Sequence, residues 1–329
     1  MKAGRLLARR PTAGTGRMTG TDRALVGSWT FAAVLLVVGA LRAHGFISLD
    51  NLHTLLLIAT FVGLAGLGQT LVVLGGGIDL SLPWMITLGG IGMSQFAGPG
   101  GAPPVLVAAG LVLAGALAGC VNGAGVTRLG IPPIVMTLGV GGLVQGLLVG
   151  LAGRGGAAAG TAPRPMVELA SARLGFVPVV TLCWLAAAVA MGVFLKRTPS
   201  GRRLYATGAN PQVAHLAGIR TGRVVIATYA ASAMIAVLTG MLMSGYLEQS
   251  YLAMGAPYLF TPIAAVAIGG ASVLGGRGTS WGTTAGAIVI TLLGALLPLW
   301  GLGGAALQIV YGAVILAGVL MAKAVTRAG

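Results

Sequence analysis

Acidic residues are nearly absent: five Asp and Glu stand among 329 residues, against 20 Lys and Arg, and charged residues make up only 8%. A soluble domain carries about 25% charge, so an ordinary water-exposed globule is excluded. The acids are Asp22, Asp50, Asp79, Glu168 and Glu248, all in expected loops or at the ends of apolar runs, and the histidines are His44, His53 and His215. No two of these groups share an intramembrane face. Paired carboxylates, metal ligands and a nucleophile–base pair are therefore missing, and no catalytic or metal-binding residue is assigned. The same scarcity argues against proton- or voltage-driven machinery, which needs ionisable groups inside the bilayer. Sodium coupling through backbone carbonyls stays open, so an ion-coupled secondary transporter of a small neutral solute is the alternative reading.

Further absences narrow the classes. The lysines are Lys2, Lys196 and Lys323, and none follows Gly. A phosphate-cradling P-loop needs that pair, so no cofactor is expected on this chain and any ATPase is a separate one. Cys120 and Cys183 lie inside apolar runs and form neither a zinc cluster nor a disulfide framework. No basic face carries interleaved aromatics, so nucleic acid is not an expected partner.

What is abundant is apolar sequence, at 56%, and glycine, at 57 residues. At roughly 20 residues per helical span, the chain accommodates about ten. The expected spans are Ala24–Leu41, Leu52–Gly75, Leu82–Ala97, Pro103–Thr127, Ile131–Ala152, Phe176–Leu195, Val224–Gly245, Tyr258–Leu274, Ser280–Leu297 and Gly303–Ala322. The third is short and reads as either a crossing or a half-helix. The expectation is an all-α polytopic membrane protein: a basic tail over 1–23, a transmembrane domain over 24–323 and a short tail over 324–329. Arg9-Arg10 hints at a twin-arginine export signal. No small-residue cleavage site follows, so the first run reads as an uncleaved helix, with Met18 an alternative start.

Basic residues set the orientation. With the N-terminus in the cytoplasm and ten crossings, 16 fall inside and four, Arg42, Arg154, Arg164 and Arg173, fall outside. The positive-inside rule thus favours even parity with both termini cytoplasmic. Ten spans divide into two halves of five, the odd number implying an inverted repeat. Glycines at four-residue spacing, Gly115/Gly119/Gly123, Gly142/Gly146/Gly150 and Gly282/Gly286, are expected to let helices pack closely.

The longest inner loop, 196–223, contains a short helix with clear punctuation. Asn210 is a good N-cap, Pro211 suits the first helical position, and Gly218 suits the left-handed position after the end. Pro211–Ala217 should therefore form about two turns near the membrane surface. It reads either as a solvated connector or as a coupling helix for a cytoplasmic motor.

Four blocks in order carry a family resemblance. GGGIDLSLPWMITLGG at Gly75–Gly90, GIPPIVMTLG at Gly130–Gly139, GRRLYATGANPQVAHLAGI at Gly201–Ile219 and IAAVAIGGASVLGGRGTSWGTTAGA at Ile263–Ala287 resemble segments of permease subunits of bacterial ABC importers of the ribose and xylose type. Leu82-Pro83-Trp84 departs from the small residues usual after the IDLS string. The resemblance implies a bacterial inner-membrane subunit that does no covalent chemistry and forms the path for a monosaccharide. It implies a second permease chain, the same or different, two ATPase subunits or one fused ATPase holding ATP and Mg, an external sugar-binding protein, and membrane lipid around the spans. It also identifies 196–223 as the coupling loop, with Arg202, Arg203, Gly208, Asn210, Pro211, His215 and Gly218 as ATPase-coupling candidates.

Substrate-path candidates are the polar groups near or within apolar runs: Gln69, Asp79, Asn122, Gln145 and Gln308, with Trp84 or Tyr311 as an aromatic face for a sugar. Each has a structural alternative. Asp79 is placed to cap the third helix, with Ser81 a rival cap. The amides are placed for interhelical hydrogen bonds, and Trp84 for interfacial anchoring.

Overall fold

Long apolar runs formed as helices satisfy their own backbone groups once water is excluded. The computed structural model shows that outcome for residues 20–97, 100–155 and 160–327. Most of the basic tail, with Arg9-Arg10 and Met18, lies outside the described residues, as do the last two residues of the C-terminal tail.

The helices are α1 (Gly20–Arg42), α2 (Leu49–Leu74), α3 (Leu82–Phe96), α4 (Pro104–Arg128), α5 (Pro133–Gly155), α6 (Arg164–Ser171), α7 (Val179–Arg197), α8 (Pro199–Ala209), α9 (Pro211–Leu216), α10 (Thr221–Leu247), α11 (Thr261–Ile268), α12 (Ser280–Leu296) and α13 (Gly304–Arg327). A two-residue hairpin, β1 (Arg173–Leu174) with β2 (Val177–Pro178), precedes α7. Among the described residues seven helices are long and apolar enough to cross a membrane: α1, α2, α4, α5, α7, α10 and α12 with its 3-10 extension to Trp300.

The expected span Tyr258–Leu274 requires correction. Its helix covers only Thr261–Ile268, about 12 Å at 1.5 Å per residue, well short of a hydrocarbon core of about 30 Å. Gly270, Gly275, Gly276 and Gly278 all take positive φ, so the chain leaves the helix in a glycine-built loop. Helix α3, at 15 residues, rises about 22 Å and is almost wholly buried.

Helices α2 and α10 form the centre. α2 packs on α10, α12, α11 and α7, while α10 also packs on α4, α3 and α6. Glycine sets the close approaches. A Cβ at Gly115, Gly119 or Gly123 would strike α10 at Val237, Tyr229 or Ile226, and one at Gly282 or Gly286 would strike Gly269 or Ala265. These two stripes pack as the spacing implies. The third does not: Gly142, Gly146 and Gly150 on α5 have no neighbour within 4 Å. Threonine pairs add polar links between helices, with Thr70 Oγ1 and Thr283 Oγ1 2.6 Å apart and Thr60 Oγ1 and Thr181 Oγ1 2.8 Å apart.

Candidate functional site

Gly75, Gly76 and Gly77 end α2. Gly76 has φ +85°, and a Cβ at Gly77 would fall on the Tyr229 hydroxyl. The turn delivers Ile78–Ser81 into the centre of the bundle, where Asp79 is 1% exposed. Asp79 Oδ1 accepts from Ser81 N (3.0 Å) and from the Ser81 hydroxyl, and its Oδ2 accepts from Ser232 Oγ on α10 at 3.0 Å. Gln69 on α2 holds the Asp79 backbone: with Nε2 turned to Asp79 O (3.1 Å), Oε1 accepts from Asp79 N (3.2 Å). Asn122 Nδ2 on α4 donates to Ser81 Oγ at 3.0 Å, and Thr137 Oγ1 on α5 accepts from Leu80 N at 3.1 Å.

One buried loop is thus tied to α2, α4, α5 and α10. Buried polar groups need such partners, and a carboxylate without a cation needs several donors. Two atoms in this region lack a partner, Asn122 Oδ1 and Tyr229 Oη, so the network is incomplete by two hydrogen bonds.

The capping role expected for Asp79 is corrected here. Ser81 occupies the N-cap position of α3 but makes no side-chain cap bond, and the carboxylate turns back to Ser81 instead of reaching the amides of the first helical turn. Asn122, near a span end in sequence, is fully buried. Gln145 and Gln308 are exposed on α5 and α13, so hydrogen bonding inside this bundle does not account for them. Trp84 is half-buried beside Gly141 of α5. Tyr311 lines a separate cavity of about 290 Å³ with Tyr258, Thr261 and Thr291. Asp79, Gln69 and Asn122 therefore come together, while Gln145, Gln308 and Tyr311 lie elsewhere.

The expected short helix is present as α9. Asn210 Oδ1 accepts from Gln212 N (3.0 Å) and Val213 N (3.1 Å), and Gly218 has φ +81°. Pro211 and His215 are exposed, and only Ala214 is buried. Helix α8 before it was not anticipated, although Thr198-Pro199 carries the signal: Thr198 Oγ1 accepts from Gly201 N at 3.0 Å, an N-cap followed by proline at the first helical position. Arg202 and Arg203 on α8 are exposed.

Helix α8 is fixed to the bundle by contacts that need glycine. At Gly208 a Cβ would fall on Leu74 O and lie 2.7 Å from Gly276 N, and Gly276 N itself donates to Leu74 O at 3.0 Å. Tyr205 Oη donates to Gly278 O at 2.7 Å. Burial pushes the Tyr205 hydroxyl pKa upward, which keeps it protonated as a donor. The ends of α2 and α8 therefore meet at the glycine loop between α11 and α12, and five residues after Leu74 the chain reaches Asp79.

No group of three His, Cys, Asp or Glu suited to a metal is present among the described residues. Long apolar helices that seal a polar loop inside the bundle, with a helix pair clamped to one end, define a multi-pass membrane protein. The chain belongs to the family described as "Branched-chain amino acid transport system / permease component", which matches residues 51–322, and it is an ABC importer permease.

Similar proteins include the fructose import permease protein FrcC of Rhizobium meliloti, 33% identical over 81% of this chain and 76% of that protein. The probable ABC transporter permease protein YphD of Escherichia coli K12 is 32% identical over 90% and 88%. The autoinducer 2 import system permease protein LsrD of Escherichia coli O9:H4 is 30% identical over 82% and 83%. No solved structure matches. The ribose and xylose type is not singled out among these relatives.

Proposed function

We propose that this subunit forms the translocation path for a monosaccharide, which an external binding protein delivers and separate ATPase subunits drive inward. One observation carries the reading. The α8–α9 pair in the basic loop is locked through Gly208 onto the end of α2, and that end leads directly into the buried Asp79 loop. A motor pulling on α8 would move Leu74 and Gly276 with it, and with them the loop that joins four helices. The names of the relatives support a sugar cargo, since one imports fructose; a ribose- or xylose-like cargo is the finer proposal.

In this reading the α8–α9 end faces the cytoplasm; α3, α13 and the segment made of α11 with the glycine loop after it bring the seven long helices to ten crossings in two inverted halves, and both termini are cytoplasmic. Two permease chains, identical or different, enclose the path. The exposed faces of α5 and α13 support such pairing: Gln145 stands beside Gly142 and Gly146, and Gln308 lies one turn before Gly312, with no neighbour within 4 Å of any of these three glycines. Amides donate and accept without charge, as a sugar hydroxyl requires. Arg202, Asn210, Pro211, His215 and Gly218 are proposed to meet the ATPase, which holds ATP and Mg.

Reconstitution in proteoliposomes with the ATPase and binding protein tests this. Sugar uptake should require ATP and all components. Uptake by the permease alone under an ion gradient would overturn the proposal in favour of an ion-coupled carrier.

A further inference from the structure

Two cavities lie along one seam between α2, α7 and α10. The larger, about 660 Å³, is walled by side chains such as Leu67, Ala187, Met191, Ile235 and Leu242. The smaller, about 260 Å³, lies toward α8 and includes Ser200, Arg203, Arg223 and Thr228. Leu71, Phe194 and Ala231 line both, so the two adjoin. The seam is apolar along its length and basic at one end.

We propose that this seam binds an anionic phospholipid, with an acyl chain along α10 and the phosphodiester between Arg203 and Arg223. The dimensions suit it. From Arg223 to Leu242, both of which line the seam, α10 rises about 28 Å, more than the depth of one leaflet of a hydrocarbon core of about 30 Å, so an acyl chain has room beneath a headgroup at Arg223. Charge suits it as well. Among the described residues no acid lines either cavity, and Asp50, Glu168 and Glu248 belong to the opposite ends of α2 and α10 or to α6, which packs on α10 near Gly245. Guanidinium groups engage phosphate oxygens in pairs, and basic pockets between spans bind lipid headgroups. Free phosphate would leave the apolar length unfilled.

The site has a consequence for coupling. Arg203 belongs to α8, whose Gly208 is pinned to Leu74, while Leu71, one turn earlier on α2, lines the seam. A bound lipid would brace α8 against α2 and α10. This consequence, and the assignment to the inner leaflet, rest on the function proposed above, whereas lipid binding itself does not.

Native mass spectrometry of the purified full chain, titrated with phosphatidylglycerol, phosphatidylcholine or inorganic phosphate, provides the test. Phosphatidylglycerol should be retained in preference to phosphatidylcholine. Replacing both arginines, Arg203→Gln with Arg223→Gln, should weaken its retention about thirtyfold, and Arg128→Gln should leave it unchanged. Ala231→Trp, which fills the junction of the cavities, should abolish retention with both arginines intact. The exposed arginine variants keep the test decisive should the tryptophan variant fail to fold. Equal retention of phosphatidylcholine, undiminished retention in the double variant, or binding of phosphate alone would overturn the proposal. Because no ATPase or sugar is present, these outcomes are independent of the transport reading.

Discussion

Ser232 Oγ on α10 donates to Asp79 Oδ2 at 3.0 Å across 153 positions of sequence, and both residues are buried. This bond joins the loop after α2 to the helix that follows the basic segment.

Asp79→Ala removes the acceptor for Ser232 and for both Ser81 groups. Each buried group left unpaired costs about 1–3 kcal/mol, so thermal unfolding in detergent should show a large loss. Asp79→Asn preserves the shape and should lose less. Equal stability of the wild type and the alanine variant would show that the network is dispensable.

Gly208 and Gly218 should respond differently to Val. At Gly208 the new Cβ meets backbone at Leu74 and Gly276, neither of which is free to yield, whereas at Gly218 no atom lies within 4 Å and only the φ of +81° resists. Gly208→Val should insert normally yet separate ATP hydrolysis from uptake in the reconstituted complex. Gly218→Val should carry about 1–2 kcal/mol of local backbone strain and a milder transport defect. The reverse ranking would count against the clamp.

The two glycine stripes on α4 and α5 provide a paired comparison. Gly119→Val drives a side chain into Tyr229 O and Ala230 Cα, and overpacking costs about 1–3 kcal/mol, so a lower melting temperature is expected. A Cβ at Gly146 meets none of the described residues within 4 Å. Gly146→Val should leave the monomer's melting temperature unchanged while reducing self-association in crosslinking, the signature of a face that meets a second chain.

Glu248 is the one non-glycine residue with positive φ, 58°, among the described residues. An L side chain there costs roughly 1–2 kcal/mol, and the side chain itself is exposed. Glu248→Gly should raise the melting temperature modestly with transport unaltered. A fall would mean that the carboxylate makes contacts outweighing the strain.

Much of the architecture is legible in the sequence. Scarce charge and long apolar runs identify a helical membrane protein, because unpaired backbone is too costly in hydrocarbon. Asn210, Pro211 and Gly218 define α9, because capping is local chemistry. Tertiary structure decided what depends on distant partners. The apolar run after Tyr258 breaks at Gly269 because its loop packs onto Leu74 and Gly208. Asp79 gives one carboxylate oxygen to Ser81 and the other to Ser232, a partner that only the packing of α10 supplies. Gly119 and Gly146 share one spacing, yet only the first has a helix against it. Periodicity specifies which residues share a face, but the neighbour that face meets is fixed by packing across the chain.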